Sequence, residues 1–137
     1  EVICTTDANW PVTVEKITGG IDVVIDQVGG GLFAECLKTM AIKGRYVSVG
    51  RNAGRDAKLN LDFLARQRIS LIGVTFRTRS KSEALACSTR FASDLLPAFD
   101  NGLLQPVLDR TFALDDLALA HRYMKSDQQI GKIVLVS

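Results

Sequence analysis

The residues of this 137-residue chain best placed to do chemistry sit at the tips of three apolar runs. Ile21-Asp22-Val23-Val24-Ile25-Asp26 leads into Gln27-Val28-Gly29-Gly30-Gly31, and Arg45-Tyr46-Val47-Ser48-Val49-Gly50 leads into Arg51-Asn52-Ala53-Gly54. Ile69-Ser70-Leu71-Ile72-Gly73-Val74-Thr75-Phe76 leads into Arg77-Thr78-Arg79-Ser80. If the runs are parallel strands, a ligand would sit beyond their carboxyl ends, where loops and helix N-termini converge. Glycine at the first two tips would let backbone approach a ligand closely, and a helix opening near Leu32 would aim free N–H groups there. Each glycine alone reads equally well as a turn residue leaving a strand. Three such tips together favour a site.

Other candidates have plain structural readings. Asp22 and Asp26 bracket one apolar run; Asp22 suits the start of a strand, and Asp26 suits either a ligand contact or a loop cap. Arg77, Arg79 and Lys81 form a basic cluster able to hold a phosphate or simply to line a solvated loop. The single histidine, His121, lies on the flank of a helical stripe, where a structural or surface role is expected. Cys4, Cys36 and Cys87 show neither CxxC nor Cys/His spacing, so buried free thiols in a reducing cytoplasm are expected rather than a metal site or a disulfide framework. No nucleophile–base pair emerges.

These tips need elements to position them. The length and β-branched content of the runs fit strands buried on both faces of a parallel sheet. Between them Leu32, Phe33, Cys36, Leu37 and Met40 recur at helical spacing, with Lys43-Gly44 as a basic last turn and stop. Ser80 or Ser82 would cap a longer helix running to about Asn101-Gly102, kinked or broken by Pro97. Gln105 to Leu114 reads as extended; Asp115 or Asp116 would then cap a short helix, and Gly131 to Val136 closes the chain as a strand. Alternating strands and helices make the fold class α/β. Hydrophobic residues at 47%, charged residues at 23% and a net charge of +2 describe an ordinary globular chain and argue against nucleic acid or a membrane surface as partner. No run approaches the ~18 apolar residues of a membrane helix. Glu1-Val2-Ile3-Cys4 already reads as strand, which suggests a fragment.

The ordered succession of Glu1-Val2-Ile3, Val14 to Asp26 with Gln27-Val28-Gly29-Gly30, Gly44 to Gly50, Ile69 to Thr75, Leu104 to Asp109, Ala118-Leu119-Ala120-His121 and Gly131 to Leu135 resembles the medium-chain dehydrogenase/reductase superfamily. The resemblance spans nearly the whole chain and is strongest to the zinc-independent quinone oxidoreductase branch. It implies a partial Rossmann sheet, a doubly wound parallel sheet lacking its first strands and glycine-rich loop. It also implies binding of NADP (NAD being the alternative) and hydride transfer to a quinone, enone or related carbonyl compound. The positions matching family cofactor contacts are Gly30, Val49, Gly50, Arg51, Val74, Thr75 and Phe76. Val49, Val74 and Phe76 would make an apolar wall for the nicotinamide, with Gly50 leaving space for the ring.

By the same resemblance, residues 1–104 form the partial nucleotide-binding domain and 105–137 pack back on a substrate domain. The chain shows no GxGxxG after a first strand, and the family places that loop, the substrate domain and any zinc ligands upstream of this region. In the strand order 3-2-1-4-5-6 the chain supplies strands 3, 4, 5 and 6, leaving Ile21 to Asp26 as an unpaired edge. Association, or direct pairing with Glu1 to Cys4, would cover it. A homodimer contact is expected through the strand from Ile69 to Phe76, in a cytoplasmic protein without membrane or nucleic-acid partners. Two other readings stay open: a Rossmann-like methyltransferase, whose last strands would form an antiparallel hairpin, and a non-catalytic dimerising module.

Overall fold

The computed structural model describes all residues, 1–137, as two compact units, Glu1–Arg79 and Ser80–Ser137. The first contains α1 (Trp10–Thr18), β1 (Ile21–Asp26), α2 (Leu32–Lys38), β2 (Met40–Ser48), α3 (Leu61–Gln67) and β3 (Ser70–Gly73). The three strands are parallel in the order β1-β2-β3, so β1 and β3 are both edges. Val24, Ile25 and Asp26 lie beside Tyr46, Val47 and Ser48, which in turn bring Leu71, Ile72 and Gly73 alongside. This register carries the carboxyl ends of neighbouring strands to one end of the sheet.

Side-chain alternation decides which face of the sheet is covered. The buried cluster is Leu37, Met40, Tyr46 and Ile69, with Val24, Phe33, Cys36, Leu59, Phe63 and Leu64 packed against it. Phe33 meets Tyr46 edge-on at a centroid distance of 4.9 Å, a geometry that sets a positive ring edge against a negative ring face. Val23 (40% exposed) and Ile25 (64%) point away from that cluster, and all four residues of β3 are exposed. The expected burial on both faces is therefore not found. The strands are apolar enough for it, but α2 and α3 supply partners on the Tyr46 side only.

Several boundaries differ from the sequence reading for local reasons. Glu1 to Cys4 form no strand; Cys4 instead begins a turn closed by the Asp7 N–H, and nothing pairs with β1 on its outer side. α2 ends at Lys38, and Met40, spaced as if helical, opens β2 as a buried residue. Lys43-Gly44 is thus no helix stop but an irregularity within β2. Lys43 takes φ 65°, and the pairing slips between Ile21/Met40 and Val23/Arg45. Cys4 is exposed while Cys36 and Cys87 are half-buried; all three are free. α1 escaped the sequence reading, although Pro11 near its start and Gly19 at its end (φ 69°) are ordinary start and stop residues.

The second unit holds α4 (Lys81–Asp100), β4 (Leu108–Ala113), a single 3-10 turn (Leu114–Asp116), α5 (Leu117–Lys125) and β5 (Lys132–Val136). β4 and β5 pair in parallel, the opposite of the closing hairpin that the methyltransferase reading requires. Asp109 ties the unit together, accepting hydrogen bonds from the Tyr123 hydroxyl (2.9 Å) and the Ile130 N–H (3.0 Å). Asp115 and Asp116 sit in the 3-10 turn, and no side-chain cap bond holds the start of α5. His121 is exposed on α5. Pro97 lies inside α4, which runs on to Asp100; a proline this late removes one ladder bond where few remain.

The start of α4 is fixed by a reciprocal cap. The Glu83 N–H donates to Ser80 Oγ (3.2 Å), and the Ser80 N–H donates to Glu83 Oε2 (2.8 Å). Ser80→Ala is expected to cost α4 about 1 kcal/mol. That should speed amide hydrogen exchange in its first turn roughly fivefold; unchanged exchange there would show that the cap carries no weight.

Candidate functional site

The end of β1 is built around one carboxylate. Asp26 is buried (7% exposed), and its side chain accepts from the N–H groups of Val28 (2.8 Å) and Gly29 (2.9 Å to Oδ1, 3.1 Å to Oδ2) and from the Tyr46 hydroxyl. Its backbone carbonyl accepts from the N–H groups of both Val49 (2.8 Å) and Gly50 (2.9 Å). Burial by itself would raise the carboxyl's pKa, but the hydrogen bonds from Tyr46, Gly29 and Val28 outweigh it and hold Asp26 below its ordinary value. Tyr46 moves the opposite way. Burial first, and then the hydrogen bond to a charged acceptor, push its phenol well above the usual range. Burial likewise raises the Cys36 thiol, helped by the nearby charges of Asp26 and Glu35. Of the two sequence readings of Asp26, the loop cap is the one observed, an acid bonding its own backbone two and three residues on.

The loop that Asp26 organises crosses the loop after β2 at very short range. Gly29 (φ 73°) and Gly30 (φ 62°) both take left-handed backbone. The Ala53 N–H donates to the Val28 carbonyl (2.9 Å), and Gly29 bridges to Gly54. A Cβ at Gly30 would lie 2.9 Å from the Ala53 oxygen. At Gly50 a Cβ would lie 1.8 Å from the Gln27 oxygen, so the space beside Gly50 is filled by the neighbouring loop. Its missing side chain serves that crossing.

The expected site residues fall into two groups. Gly30 and Arg51 line a small cavity of about 160 Å³ over Asp26, Phe33 and Ser48. Val49, Gly50 and Arg51 line a larger cleft of about 450 Å³ together with Asn52, Arg55 and Arg77. Val74 is hooked to the end of β2 by its N–H bond to the Ser48 carbonyl (3.0 Å). Thr75 and Phe76 follow on the outgoing loop and line neither cavity. Thr75 Oγ1 accepts the Arg77 N–H (3.2 Å), and Phe76, 61% exposed, carries the Arg79 guanidinium 5.0 Å from its ring centroid. The basic cluster Arg77, Arg79, Lys81 is therefore split: Arg77 joins the cleft, Arg79 turns to Phe76, and Lys81 opens α4. Sequence reasoning missed Tyr46 and Arg55. Tyr46 reaches Asp26 only through the strand register, and Arg55 lies past the glycine tip with nothing local to mark it.

A sequence model of the zinc-binding dehydrogenase family matches residues 1–135. The chain belongs to the medium-chain dehydrogenase/reductase superfamily. Among its relatives, "Quinone oxidoreductase-like protein 2" of Bos taurus is 30% identical over 118 residues, covering 86% of this chain and 34% of the relative. The "Acryloyl-coenzyme A reductase" of Sulfurisphaera tokodaii is 25% identical over 121 residues, covering 88% and 33%. A crystal structure of an NAD-dependent alcohol dehydrogenase superposes with a TM-score of 0.71 at 26% identity, covering 97% of this chain and 37% of the other. The chain thus spans about a third of the length of each of these two curated relatives. As part of this superfamily's fold, the β1-β2-β3 sheet is a section of a Rossmann sheet. The zinc of the family description does not fit here, because no three His, Cys, Asp or Glu side chains come together as a ligand set.

Tyr46→Phe should destabilise the chain by about 1.5–3 kcal/mol near neutral pH, the usual weight of a hydrogen bond to a charged group. Because the native Asp26 pKa is depressed, its contribution is fully present above the unfolded carboxylate value near ~4 and is lost as pH falls through that range toward the native value. The Tyr46→Phe penalty should therefore shrink in acid; a penalty independent of pH, in urea titrations from neutral to acid, would contradict the charge-assisted bond. Gly50→Ala should cost more than ~3 kcal/mol, since the clash is with backbone. A melting temperature within a degree or two of the parent would contradict the crossing.

Proposed function

We propose that this chain is the downstream part of the cofactor-binding domain of an oxidoreductase that passes hydride from NADPH to a quinone, enone or related carbonyl compound. One observation carries the reading: Val49, Gly50 and Arg51, leaving β2, and Val74, leaving β3, are held side by side at the carboxyl end of a parallel sheet. When bound, the nicotinamide would supply the hydride. Val49, Val74 and Phe76 offer apolar surface on which the ring could lie flat. Arg51, shared by the two cavities, could meet a negatively charged part of the cofactor, and Gly30 lets the crossing loops close beneath it. Thr75 positions the following turn through its bond to the Arg77 N–H.

The preference for NADP over NAD rests on likeness to the quinone oxidoreductase branch. The carbonyl or enone acceptor rests on the relatives, one described as quinone oxidoreductase-like and one as an acryloyl-coenzyme A reductase. The chain's own sequence has no GxGxxG and no paired acid and base, so by itself it should turn nothing over. We assign residues 105–137 to packing against a substrate domain, the edge strand β3 to a homodimer contact, and the protein, with three free cysteines, to the cytoplasm.

Titration of the chain with NADPH, followed by nicotinamide fluorescence, tests the cofactor assignment. Weak binding, with Kd well above the micromolar range, is expected, and NADH should bind no more tightly. Micromolar or tighter binding would mean that these strand ends dominate affinity without a phosphate-binding glycine loop. No detectable binding at any concentration would favour the non-catalytic dimerising module.

A further inference from the structure

The cleft at the ends of β2 and β3 holds more positive charge than the cofactor assignment uses. Arg51 and Arg55, from the loop after β2, and Arg77, from the loop after β3, line one space of about 450 Å³ with Val49, Gly50 and Asn52, and no carboxylate lines it. The chain's ion pairs lie elsewhere, at Lys38–Glu35, Arg66–Asp62 and Arg90–Asp94. Its two cation–π contacts use Arg79 and Arg110. The three arginines that line the cleft therefore have no acidic partner, and they stand on loops whose backbone is held in place. The Asp26 carbonyl holds Val49 and Gly50, Gly29 bridges to Gly54, and Thr75 Oγ1 holds the Arg77 N–H. Like charges gathered this way are costly unless an anion enters among them, and planar guanidiniums match the oxygens of carboxylate and phosphate.

We propose that Arg55 and Arg77, beside the cleft's cofactor positions Val49, Gly50 and Arg51, form a subsite for an oxyanion carried by the substrate, so that the hydride acceptor is a carbonyl compound or enone bearing a carboxylate or phosphate group. This rests on the cofactor assignment above, because it is the nicotinamide wall at Val49 and Val74 that makes the adjoining cleft the place where an acceptor must stack. Hydride transfer requires the reacting carbons within ~3–3.5 Å of each other. A charged group beside the acceptor carbon would then share the cleft with Arg55 and Arg77, which line it together with Val49 and Gly50. The cleft is too large for a lone ion and falls within the usual range of small-molecule sites, ~300–1,000 Å³. The arginines are exposed, so their attraction is screened and the affinity of an isolated oxyanion should be only millimolar.

Nitrogen–proton correlation spectra of the chain, titrated at constant ionic strength with succinate, with inorganic phosphate and with chloride as control, test the subsite. Succinate and phosphate should shift the amides of Gly50 to Arg55 and of Arg77 saturably, and chloride should not. Arg55→Gln/Arg77→Gln should weaken succinate at least roughly fivefold, and Arg55→Lys/Arg77→Lys, which keeps charge but loses the planar fork, should fall between. The same spectra show whether each variant is folded. Shifts that do not saturate, that match chloride, or that persist unchanged in the folded double variant overturn the subsite. Repeating the succinate titration with NADPH present separates the two sources of oxyanion. Unimpaired succinate binding supports a substrate group, whereas competition at Arg55 and Arg77 assigns these arginines to cofactor phosphate and overturns the proposal. NADPH shifts at Gly30, Val49 and Val74 read the cofactor assignment separately, and their absence alongside intact succinate binding would sink that assignment alone.

Discussion

A carboxylate removed from water must have its charge answered by donors, and in this chain nearly every feature of the candidate site follows from how Asp26 is answered. Its side chain takes two backbone N–H groups from the residues just after β1 and the hydroxyl of Tyr46 from β2. Its carbonyl takes the Val49 and Gly50 amides where β2 ends. One residue thus joins two strand ends, bends the glycine loop back over them and anchors the buried ring of the core. Tyr46 belongs at once to that network and to the apolar cluster with Leu37, Met40 and Ile69. The polar network and the core therefore stand or fall together.

The consequence for the candidate site is a pre-set surface. The loops after β1 and β2 cross closely enough that Gly30 and Gly50 have no room for a side chain, which leaves little freedom in where Val49 and Arg51 are presented. Rigid presentation of a few apolar and cationic groups is what a cofactor-binding strand end requires. The paired acid and base, the metal ligands and the phosphate-binding glycine loop of a complete catalyst are not among these residues. The chain spans about a third of the length of its quinone oxidoreductase-like relative. The exposed edge of β1 and the outward Val23 and Ile25 are equally consistent with that share of a larger sheet.

The α/β class and the three strand cores were legible because apolar, β-branched runs of five to eight residues punctuated by glycine have few other folded uses. α4 was legible from its cap, although its apolar residues Leu85, Phe91, Leu95, Leu96 and Phe99 stay exposed. Less legible were elements where helical and strand spacing coincide. Met40 fits the periodicity of α2, yet it opens β2, because the strand must begin there to set Ile21 beside it. The start of the chain misled for the opposite reason. Glu1 to Cys4 carries strand-like residues, but strand formation needs a partner ladder, and here they pair with none while β1 keeps a free outer edge.

Residue type and order determined which segments become strands, where their polar tips fall and which superfamily the chain belongs to. These are local or collinear properties, readable from propensity, punctuation and succession. Only the tertiary structure decided that Tyr46 answers Asp26, that Gly50 exists to admit the Gln27 carbonyl, and that Arg51, Arg55 and Arg77 share one cleft while Arg79 does not. Each of those depends on strand register and on the direction in which a loop turns back. Register is a relation between segments about twenty residues or more apart. A shift of a single residue in β2 would turn Tyr46 to the other face of the sheet, away from Asp26, with no trace in the composition of either strand.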